Sequence, residues 1–405
     1  MKYLIAVDDC FLDRPGGMGR VAWDIALLMR DRGHNVAMVA ARAQPANDAA
    51  TVTTELGIRV LRYSRPILPA WYPLRARRTV ASAAEAIREH LGREPWDVVH
   101  MHSPFTGSGA LQALGPGPRY IYTVHSPVVM EQQINWANQG AVGRLKLAFG
   151  LGTLRRMEHT VLRAADRIHT LSKYTRNRIE EFYGLGNRVV VIPHWRRPEL
   201  QRELSKSEAR RCLGWPLDET ILFTVRKLAP RYGLDVAIRA IAPMAREGAC
   251  MFVIAGDGPS RLTLTNLACS LGVAERVRFT GRLDDAQLAL AYQAADLFVL
   301  PTAALECFGL IVIEALAFGC PIVSTDAGAI PELMQPILPN FTVPAGDRDA
   351  LESKIRDVLA RRITAPPAAV LSAYVERSFG KEHITAQLIG FLEDRPRQHA
   401  TRLAS

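Results

Sequence analysis

The sequence has few cysteines and no long hydrophobic run, and both shortages exclude classes of protein. Its 6 cysteines among 405 residues form no CxxC pair, so we expect reduced thiols without a disulfide framework or a structural zinc. No apolar stretch is long enough to cross a bilayer, and the apolar run that opens the chain is short and followed by two acids. We therefore expect neither a membrane-spanning helix nor a signal peptide, and we predict a cytoplasmic protein.

The length and the order of apolar segments predict two α/β domains. A chain of 405 residues with 48% apolar and 22% charged residues is too long for one ordinary core. Short β-rich runs alternate with helical ones, and this rhythm restarts at ETILFTVRKL, which is typical of doubly wound parallel sheets. We predict domains at 1–195 and 196–380, and a segment at 381–405 whose helix packs back on the first domain.

The positive charge lies in the first half of the chain. Residues 1–200 hold 27 Lys/Arg and 17 Asp/Glu, whereas residues 201–405 hold 23 of each. An anionic membrane surface, a solvated surface without a partner and nucleic acid all remain open interpretations. No RNP motif, zinc finger or basic zipper occurs in the sequence, so we rank the membrane first and predict no nucleic-acid partner.

The stretch PTAALECFGLIVIEALAFGCPIV carries the most information about function. It predicts a buried strand over Leu297–Pro301, a loop over 303–307 and an apolar helix over Phe308–Phe318. Glu306 then lies in the loop and Glu314 on the helix, a little over one turn from its start.

Two acids at this spacing can bind hydroxyl groups beside a phosphate. The amides of Phe308, Gly309 and Leu310 would face an anion at the helix N-terminus. Glu314 could accept hydrogen bonds from a ribose diol, and Glu306 from a second sugar. The alternative is a solvated helix carboxylate and a loop carboxylate, but an apolar, buried helix would make Glu314 a buried charge that needs partners.

Two further loops follow predicted strands. The loop PGGMGR, which contains Gly17, precedes a helix and could approach a diphosphate closely; a plain turn is the alternative. The segment TVRKLAPRYGLD places Arg226, Lys227 and Arg231 around a strand-to-helix loop. These cations could neutralise a leaving diphosphate, or they form a solvated basic loop.

One histidine is a candidate for sugar binding. His125 ends the strand YIYTVH and could hydrogen-bond a hydroxyl group, although a satisfied core histidine is the more usual outcome. We interpret His102 as structural. Asp284 or Asp285 is expected to cap a helix, and no hydrolytic Ser-His-Asp signature or metal-ligand cluster is visible.

A basic segment in the first half has apolar residues interleaved with its cations. An amphipathic helix of this kind can lie among lipid headgroups, or its apolar face can pack on its own domain. The residues concerned are Arg144, Lys146, Arg155, Arg156, Arg163 and Arg167, with Leu145, Leu147, Phe149, Leu151 and Leu154.

Together these segments resemble the retaining glycosyltransferases of family 4. The resemblance runs from Met1 to about Phe391, and it rests on GGMGR, the strand-end His125, GDGP, FTG and the EX7E element from Glu306 to Glu314. The motif GCPIVSTDAGAIPEL follows. The resemblance implies the GT-B architecture, in which two Rossmann-like domains face a central cleft.

The resemblance also implies an activity: transfer of a hexose from a nucleoside diphosphate sugar to an acceptor hydroxyl with retention of configuration. UDP- or GDP-sugar would be a substrate, and no metal would be required. The acceptor would be a saccharide, a lipid-linked saccharide or a small glycoside. The catalytic residues implied are His125, Glu306, Lys227 and Arg231; the donor-binding residues implied are Gly17, Arg226, Lys227, Arg231, Arg282, Leu283, Glu306, Phe308, Gly309, Leu310 and Glu314.

The chain departs from the family pattern in its phosphate loop and its linker. Lys227-Leu228 and Tyr232-Gly233 stand where the family has Arg-Leu and Lys-Gly. By the resemblance, Lys227 together with either Arg226 or Arg231 would supply the cations. The linker reads Pro193-His194-Trp195 in place of Pro-Asn-Gly. A nucleotide-sugar epimerase or phosphorylase and a noncatalytic two-lobed sugar-binding protein are the rival functions.

Overall fold

The structure, a computed structural model, describes residues 1–43, 49–66, 74–137, 140–200 and 204–394. These residues divide into two compact units. The first comprises Met1–Ile192 and the end of the chain from Gln387, and the second comprises Pro193–Ala386. Residues 395–405 of the predicted C-terminal segment and the side chain of Phe149 lie outside the described residues.

A mainly parallel sheet with helices around it forms the first unit. In the described residues its strands follow the order β3-β4-β2-β1-β5-β6-β7-β8. The strands are β1 (Lys2–Asp9), β2 (Asn35–Ala41), β3 (Thr51–Glu55), β4 (Ile58–Tyr63), β5 (Val98–Met101), β6 (Arg119–Val124), β7 (Arg167–Thr170) and β8 (Val189–Val191). The helices are α1 (Gly17–Asp31), α2 (Arg75–His90), α3 (Pro104–Leu114), α4 (Val128–Ala137), α5 (Gly140–Ala164) and α6 (Lys173–Tyr183).

The second unit repeats this plan with a parallel sheet in the order β11-β10-β9-β12-β13-β14. Its strands are β9 (Ile221–Val225), β10 (Met251–Ala255), β11 (Val277–Gly281), β12 (Leu297–Leu300), β13 (Ile322–Thr325) and β14 (Thr342–Val343). Its helices are α7 (Lys206–Leu213), α8 (Leu234–Arg246), α9 (Arg261–Ser270), α10 (Asp285–Ala294), α11 (Leu310–Ala317), α12 (Ile330–Met334), α13 (Arg348–Leu359) and α14 (Ala368–Phe379). The last helix, α15, spans Lys381–Glu393.

The predicted doubly wound α/β class is confirmed in both units. The central strands are buried, as continuous apolar runs such as ILFTV and MFVIA require when helices cover both faces of a sheet. Three strands among the described residues were not predicted: β3, β4 and β14. Strands β3 and β4 form an antiparallel hairpin. Strand β3 is largely exposed, and its sequence TVTTE lacks the apolar run that marks the buried strands, while β14 is only two residues long.

Polar side chains define several helix starts. Ser205 and Glu208 form a capping box at the start of α7, and Asp284 and Gln287 form another at the start of α10. The expected cap in this second segment is therefore Asp284, while Asp285 is the first helical residue. None of the helices in the described parts of the chain is long and apolar enough to span a membrane.

The end of the chain packs on the first unit through charged and aromatic contacts. Glu393 Oε1 accepts a hydrogen bond of 2.9 Å from Arg32, and Asp394 pairs with Arg167. The Arg167 guanidinium lies 5.4 Å from the ring centroid of Phe391. Arg167 is thus a residue of β7 that binds the end of the chain, and it is not part of the basic helix α5.

A buried acid connects α5 to the start of α4. Glu158 is fully buried, and its carboxylate accepts hydrogen bonds from the amide of Val128 at 2.8 Å, from the hydroxyl of Tyr122 at 3.1 Å and from the hydroxyl of Tyr183. Burial raises the pKa of Glu158 to about 7, although these hydrogen bonds oppose the shift. The folded protein therefore retains a proton that the unfolded chain loses at lower pH.

This raised pKa predicts a pH-dependent stability. The contribution of protonated Glu158 is fully present below its unfolded pKa and is lost as pH rises through about 7, so the free energy of unfolding should fall by about 2 kcal/mol between pH ~5.5 and ~8.5. Urea unfolding of the wild type and Glu158→Gln measures this loss, which the variant should lack. Glu85→Gln, at an exposed position on α2, is the matched control. Equal pH slopes in Glu158→Gln and the wild type would contradict the assignment.

Candidate functional site

The predicted donor residues of the second unit follow strands at one edge of its sheet. Because β9, β10, β11, β12 and β13 are parallel, their carboxyl ends share that edge. Ligands of doubly wound sheets bind outside this edge. Arg226, Lys227 and Arg231 follow β9, and Glu306 follows β12, the strand paired with β9.

Glycines allow the loops at this edge to touch through their backbones. A Cβ atom on Gly233 would lie 1.9 Å from the carbonyl oxygen of Pro301, and one on Gly328 would lie 2.1 Å from the carbonyl oxygen of Glu306. Both glycines have positive φ angles, which other residues rarely adopt. The amide of Ala303 also donates to the carbonyl of Arg231 at 3.0 Å. The loops after β9, β12 and β13 are therefore held together.

This packing brings Arg226 and Glu306 into an ion pair. A guanidinium nitrogen of Arg226 lies 2.6 Å from Glu306 Oε2 and 3.0 Å from Thr302 Oγ1. The two side chains are 9% and 15% exposed, and the guanidinium lies 4.2 Å from the ring centroid of Tyr232. Both residues were predicted as site residues from the sequence, but the ion pair between them was not.

The other two cations of the β9 loop have different surroundings. Lys227 is exposed and Arg231 is half-buried. Arg231 donates a hydrogen bond of 2.7 Å to the hydroxyl of Tyr232, and its guanidinium lies 4.8 Å from the centroid of that ring. Tyr232, which stands where the family pattern has a lysine, is therefore a support for Arg226 and Arg231. Tyr232 was not predicted as a site residue, and its departure from the family pattern is the sequence signal that could have identified it.

The helix α11 begins two residues later than predicted. Its first residue is Leu310, and Gly309 precedes it with a φ of 98°. That angle lies in the left-handed region, so Gly309 turns the chain and cannot be part of the helix. The helix also stops at Ala317 instead of Phe318. Phe308 and Gly309 are buried, and the first amides of the helix, from Leu310 on, lack partners within it.

Glu314 lies on α11 as predicted, and other residues of the second unit hold its carboxylate. Its side chain is 10% exposed. The hydroxyl of Tyr292 donates a hydrogen bond of 3.0 Å to Oε2, and Arg197 Nε lies 3.7 Å from Oε1. Neither Tyr292 nor Arg197 was identified from the sequence, because the tyrosine lies within an ordinary helical pattern and the arginine follows the linker.

The remaining donor candidates lie at different places. Arg282 is exposed and Leu283 is half-buried. They follow β11, which is three strands away from β12 in the sheet. Arg282 and Leu283 therefore lie at the same edge of the sheet as Glu306, but beside the outermost strand β11.

The first unit contains Gly17 and His125. Gly17 is exposed and is the first residue of α1, so it is not a loop residue, whereas a Cβ atom on Gly19 would lie 2.8 Å from the carbonyl oxygen of Asp9. His125 follows β6 and is half-buried. Its Nε2 lies 2.9 Å from Nδ1 of His102. Buried His102 therefore orients the ring of His125, a contact that the structural interpretation of His102 did not include.

The described residues bring together no group of three His, Cys, Asp or Glu side chains that could hold a metal ion. At the carboxyl edge of the second sheet, Glu306 pairs with Arg226 and Glu314 pairs with Arg197.

Two family models match most of the chain. Residues 16–195 match the glycosyl transferase 4-like domain, and residues 205–374 match glycosyl transferases group 1. The second match contains Glu306 and Glu314, and the first contains Gly17 and His125.

Among known proteins, the chain is 28% identical over 372 residues to a phosphatidyl-myo-inositol mannosyltransferase of Mycobacterium leprae, covering 89% of this chain and 90% of that protein. The structure resembles sucrose-phosphate synthase from Thermosynechococcus elongatus with a TM-score of 0.81 and 22% identity, over 97% of this chain and 98% of that one. It also resembles HepE of Anabaena, crystallised with UDP and glucose, with a TM-score of 0.72 and 19% identity, over 98% and 100%. The chain thus belongs to the family 4 glycosyltransferases, the glycosyl transferases group 1, and has the GT-B fold.

Proposed function

We propose that the protein transfers a hexose from UDP- or GDP-sugar to an acceptor hydroxyl with retention of anomeric configuration. The observation that carries the proposal is the placement of two oriented carboxylates, Glu306 and Glu314, around the start of α11 at the carboxyl edge of a parallel sheet. The resemblance to a protein crystallised with UDP and glucose supports the donor class.

Each group at this edge has a role in the proposal. The amides around Gly309 and Leu310 bind the diphosphate, Glu314 binds the ribose and Glu306 binds hydroxyls of the transferred sugar. Lys227 and Arg231 balance the charge that develops on the leaving diphosphate. The departing phosphate helps to deprotonate the acceptor on the same face of the sugar, through an oxocarbenium-like state.

The pairing of Arg226 with Glu306 refines this assignment. A carboxylate that already accepts a hydrogen bond of 2.6 Å has a fixed direction and retains lone pairs for sugar hydroxyls. Arg226 therefore positions Glu306 and adds positive charge near the donor. His125, oriented by His102, acts on the transferred sugar.

We also propose that no resident metal takes part. The supporting observation is the chemistry of the side chains, since the two proposed donor-binding acids, Glu306 and Glu314, are each paired with an arginine. In the proposal, cationic side chains and helix amides stabilise the diphosphate without a metal.

A panel of UDP- and GDP-sugars, with saccharide, lipid-linked saccharide and small glycoside acceptors, tests the function. Release of nucleoside diphosphate that depends on an acceptor, with a product of retained configuration, is the expected result. An interconverted nucleotide sugar without release would favour an epimerase. Release that requires inorganic phosphate would favour a phosphorylase, and binding without turnover would favour a sugar-binding protein.

The two carboxylates should affect different steps. Glu314→Gln loses hydrogen bonds between ribose and a charged acceptor, each of which contributes about 1.5–3 kcal/mol, so UDP or GDP should bind roughly 10- to 100-fold more weakly. Glu306→Gln should lower turnover with little change in nucleoside diphosphate affinity, because it acts on the sugar. Calorimetry and initial rates measure the two effects.

The matched control for these variants is Glu275→Gln, at an exposed position before β11. It makes the same chemical change away from the site. Glutamine is chosen over alanine because it retains a side-chain oxygen beside Arg226 and Arg197. Wild-type affinity and turnover in both test variants would remove the assignment.

Lys227 and Arg231 should act on turnover. Replacing both Lys227 and Arg231 by Ala removes counter-charge from the leaving diphosphate, so turnover should fall by about 100-fold or more. Arg239→Ala, at an exposed position on α8, is the control. If donor affinity and turnover are both unchanged in the double variant, the phosphates bind elsewhere.

We further propose that the first unit contacts an anionic lipid surface, which would place the protein at the inner membrane leaflet. Helix α5 exposes Arg144, Arg156 and Leu145, and the last is 59% exposed. Other apolar residues of α5 pack on their own unit: Leu154 belongs to a buried cluster with Trp136, and Leu147 and Leu151 pack against that cluster. A cavity of about 500 Å³ between α2, α3 and α5 is lined by Arg77, Arg156 and Met157, among others.

Cosedimentation with vesicles of increasing anionic lipid content tests the surface. Replacing Arg144 and Arg156 by Ala should lower binding roughly thirtyfold, since each cation near the surface contributes about 1 kcal/mol. The control replaces Arg211 and Arg239 of the second unit, which are also exposed. Binding absent at every lipid composition would contradict the proposal and favour a soluble glycoside acceptor.

A further inference from the structure

Glu314 is an acid on a helix whose other residues are all uncharged. The helix α11 reads LIVIEALA, and four of its residues are buried. The carboxylate of Glu314, 10% exposed, loses most of its hydration there. An ionised group in such surroundings needs hydrogen bonds and a counter-charge, and two side chains from outside the helix supply them.

Tyr292 supplies the hydrogen bond. Its side chain is 1% exposed, and its hydroxyl lies 3.0 Å from Glu314 Oε2. The ring stacks on Phe318 with centroids 5.5 Å apart and meets the edge of Phe223 at 5.6 Å, so it cannot turn away without disturbing the core. Burial and the charge of Glu314 raise the pKa of Tyr292 well above its usual value, so its hydroxyl remains a donor.

Arg197 supplies the counter-charge. It is 6% exposed, and one of its nitrogens lies 2.9 Å from Asp285 Oδ1, at the start of α10. Its Nε lies 3.7 Å from Glu314 Oε1, an ion-pair distance that exceeds a hydrogen bond. The planar guanidinium is thus fixed by Asp285 and directs positive charge at the oxygen that Tyr292 does not contact.

We propose that Arg197 and Tyr292 are positioning residues that orient Glu314 to accept both hydroxyls of a nucleotide ribose. The inference rests on the proposed function, in which Glu314 binds the ribose. A carboxylate has about four lone-pair sites, and the contact with Tyr292 uses one of them. A carboxylate with this capacity can also accept from a vicinal diol, in a direction that the two partners set. Preorganisation of this kind strengthens binding because the ligand does not have to order the acceptor.

The test compares the binding of nucleotides that have the ribose diol with the binding of nucleotides that lack it. Calorimetry measures the affinities of UDP and GDP and of their 2′,3′-dideoxy forms, which lack both hydroxyls, for the wild type, Tyr292→Phe, Arg197→Gln and Arg197→Lys. The wild type should prefer the ribose form of its nucleotide by about 10- to 100-fold. Tyr292→Phe and Arg197→Gln should reduce that preference at least threefold, with little effect on the dideoxy form, and Arg197→Lys should restore part of it.

The control is Arg196→Gln, which alters the neighbouring arginine that pairs with Glu376, and melting curves establish that each variant is folded. In a Glu314→Gln background, Tyr292→Phe should cause no further loss, because the two side chains act as a unit. A merely structural role would weaken both nucleotide forms equally.

Two failures are distinguishable. If the wild type binds no UDP or GDP, or binds the ribose and dideoxy forms equally, the assignment of Glu314 to ribose fails and this inference fails with it. If the wild type discriminates and Tyr292→Phe and Arg197→Gln discriminate equally well, the site assignment stands and the positioning role is overturned.

Discussion

Backbone contact between loops is the constraint on which the site in the second unit depends. The chain after β12 runs so close to its neighbours that a Cβ atom at Gly233 or Gly328 would overlap the carbonyl oxygen of Pro301 or Glu306. Side chains larger than hydrogen would push these loops apart. The ion pair of Arg226 and Glu306 joins residues that are 80 positions apart in the chain, so it exists because the glycines permit that approach.

Both site carboxylates are paired with an arginine from another part of the second unit. Arg226 contacts Glu306 and Arg197 contacts Glu314, and neither acid is more than 15% exposed. A buried acid without such a partner would take up a proton or distort its surroundings. The pairing fixes the direction of two acceptors near the start of α11, which suits recognition of neutral hydroxyl groups next to an anionic phosphate.

Much of the fold and several site residues could be predicted from the sequence, and the features that were not predicted have physical causes. The buried strands and the placement of Glu306 in a loop and Glu314 on a helix follow from local apolar patterns and from the EX7E resemblance. The start of α11 was wrong by two residues because the left-handed turn at Gly309 is a tertiary feature. Arg197 and Tyr292 were not predicted as partners of Glu314, because contacts between distant segments leave no local pattern in a single sequence.

The most direct test of the account is the structure of the protein with UDP or GDP bound. We expect a ribose whose hydroxyls lie within hydrogen-bond distance of Glu314, and a diphosphate at the amides around Gly309 and Leu310. Lys227 or Arg231 should lie beside the phosphates. A nucleotide bound away from the carboxyl edge of the second sheet, or one whose ribose has no contact with Glu314, would contradict it.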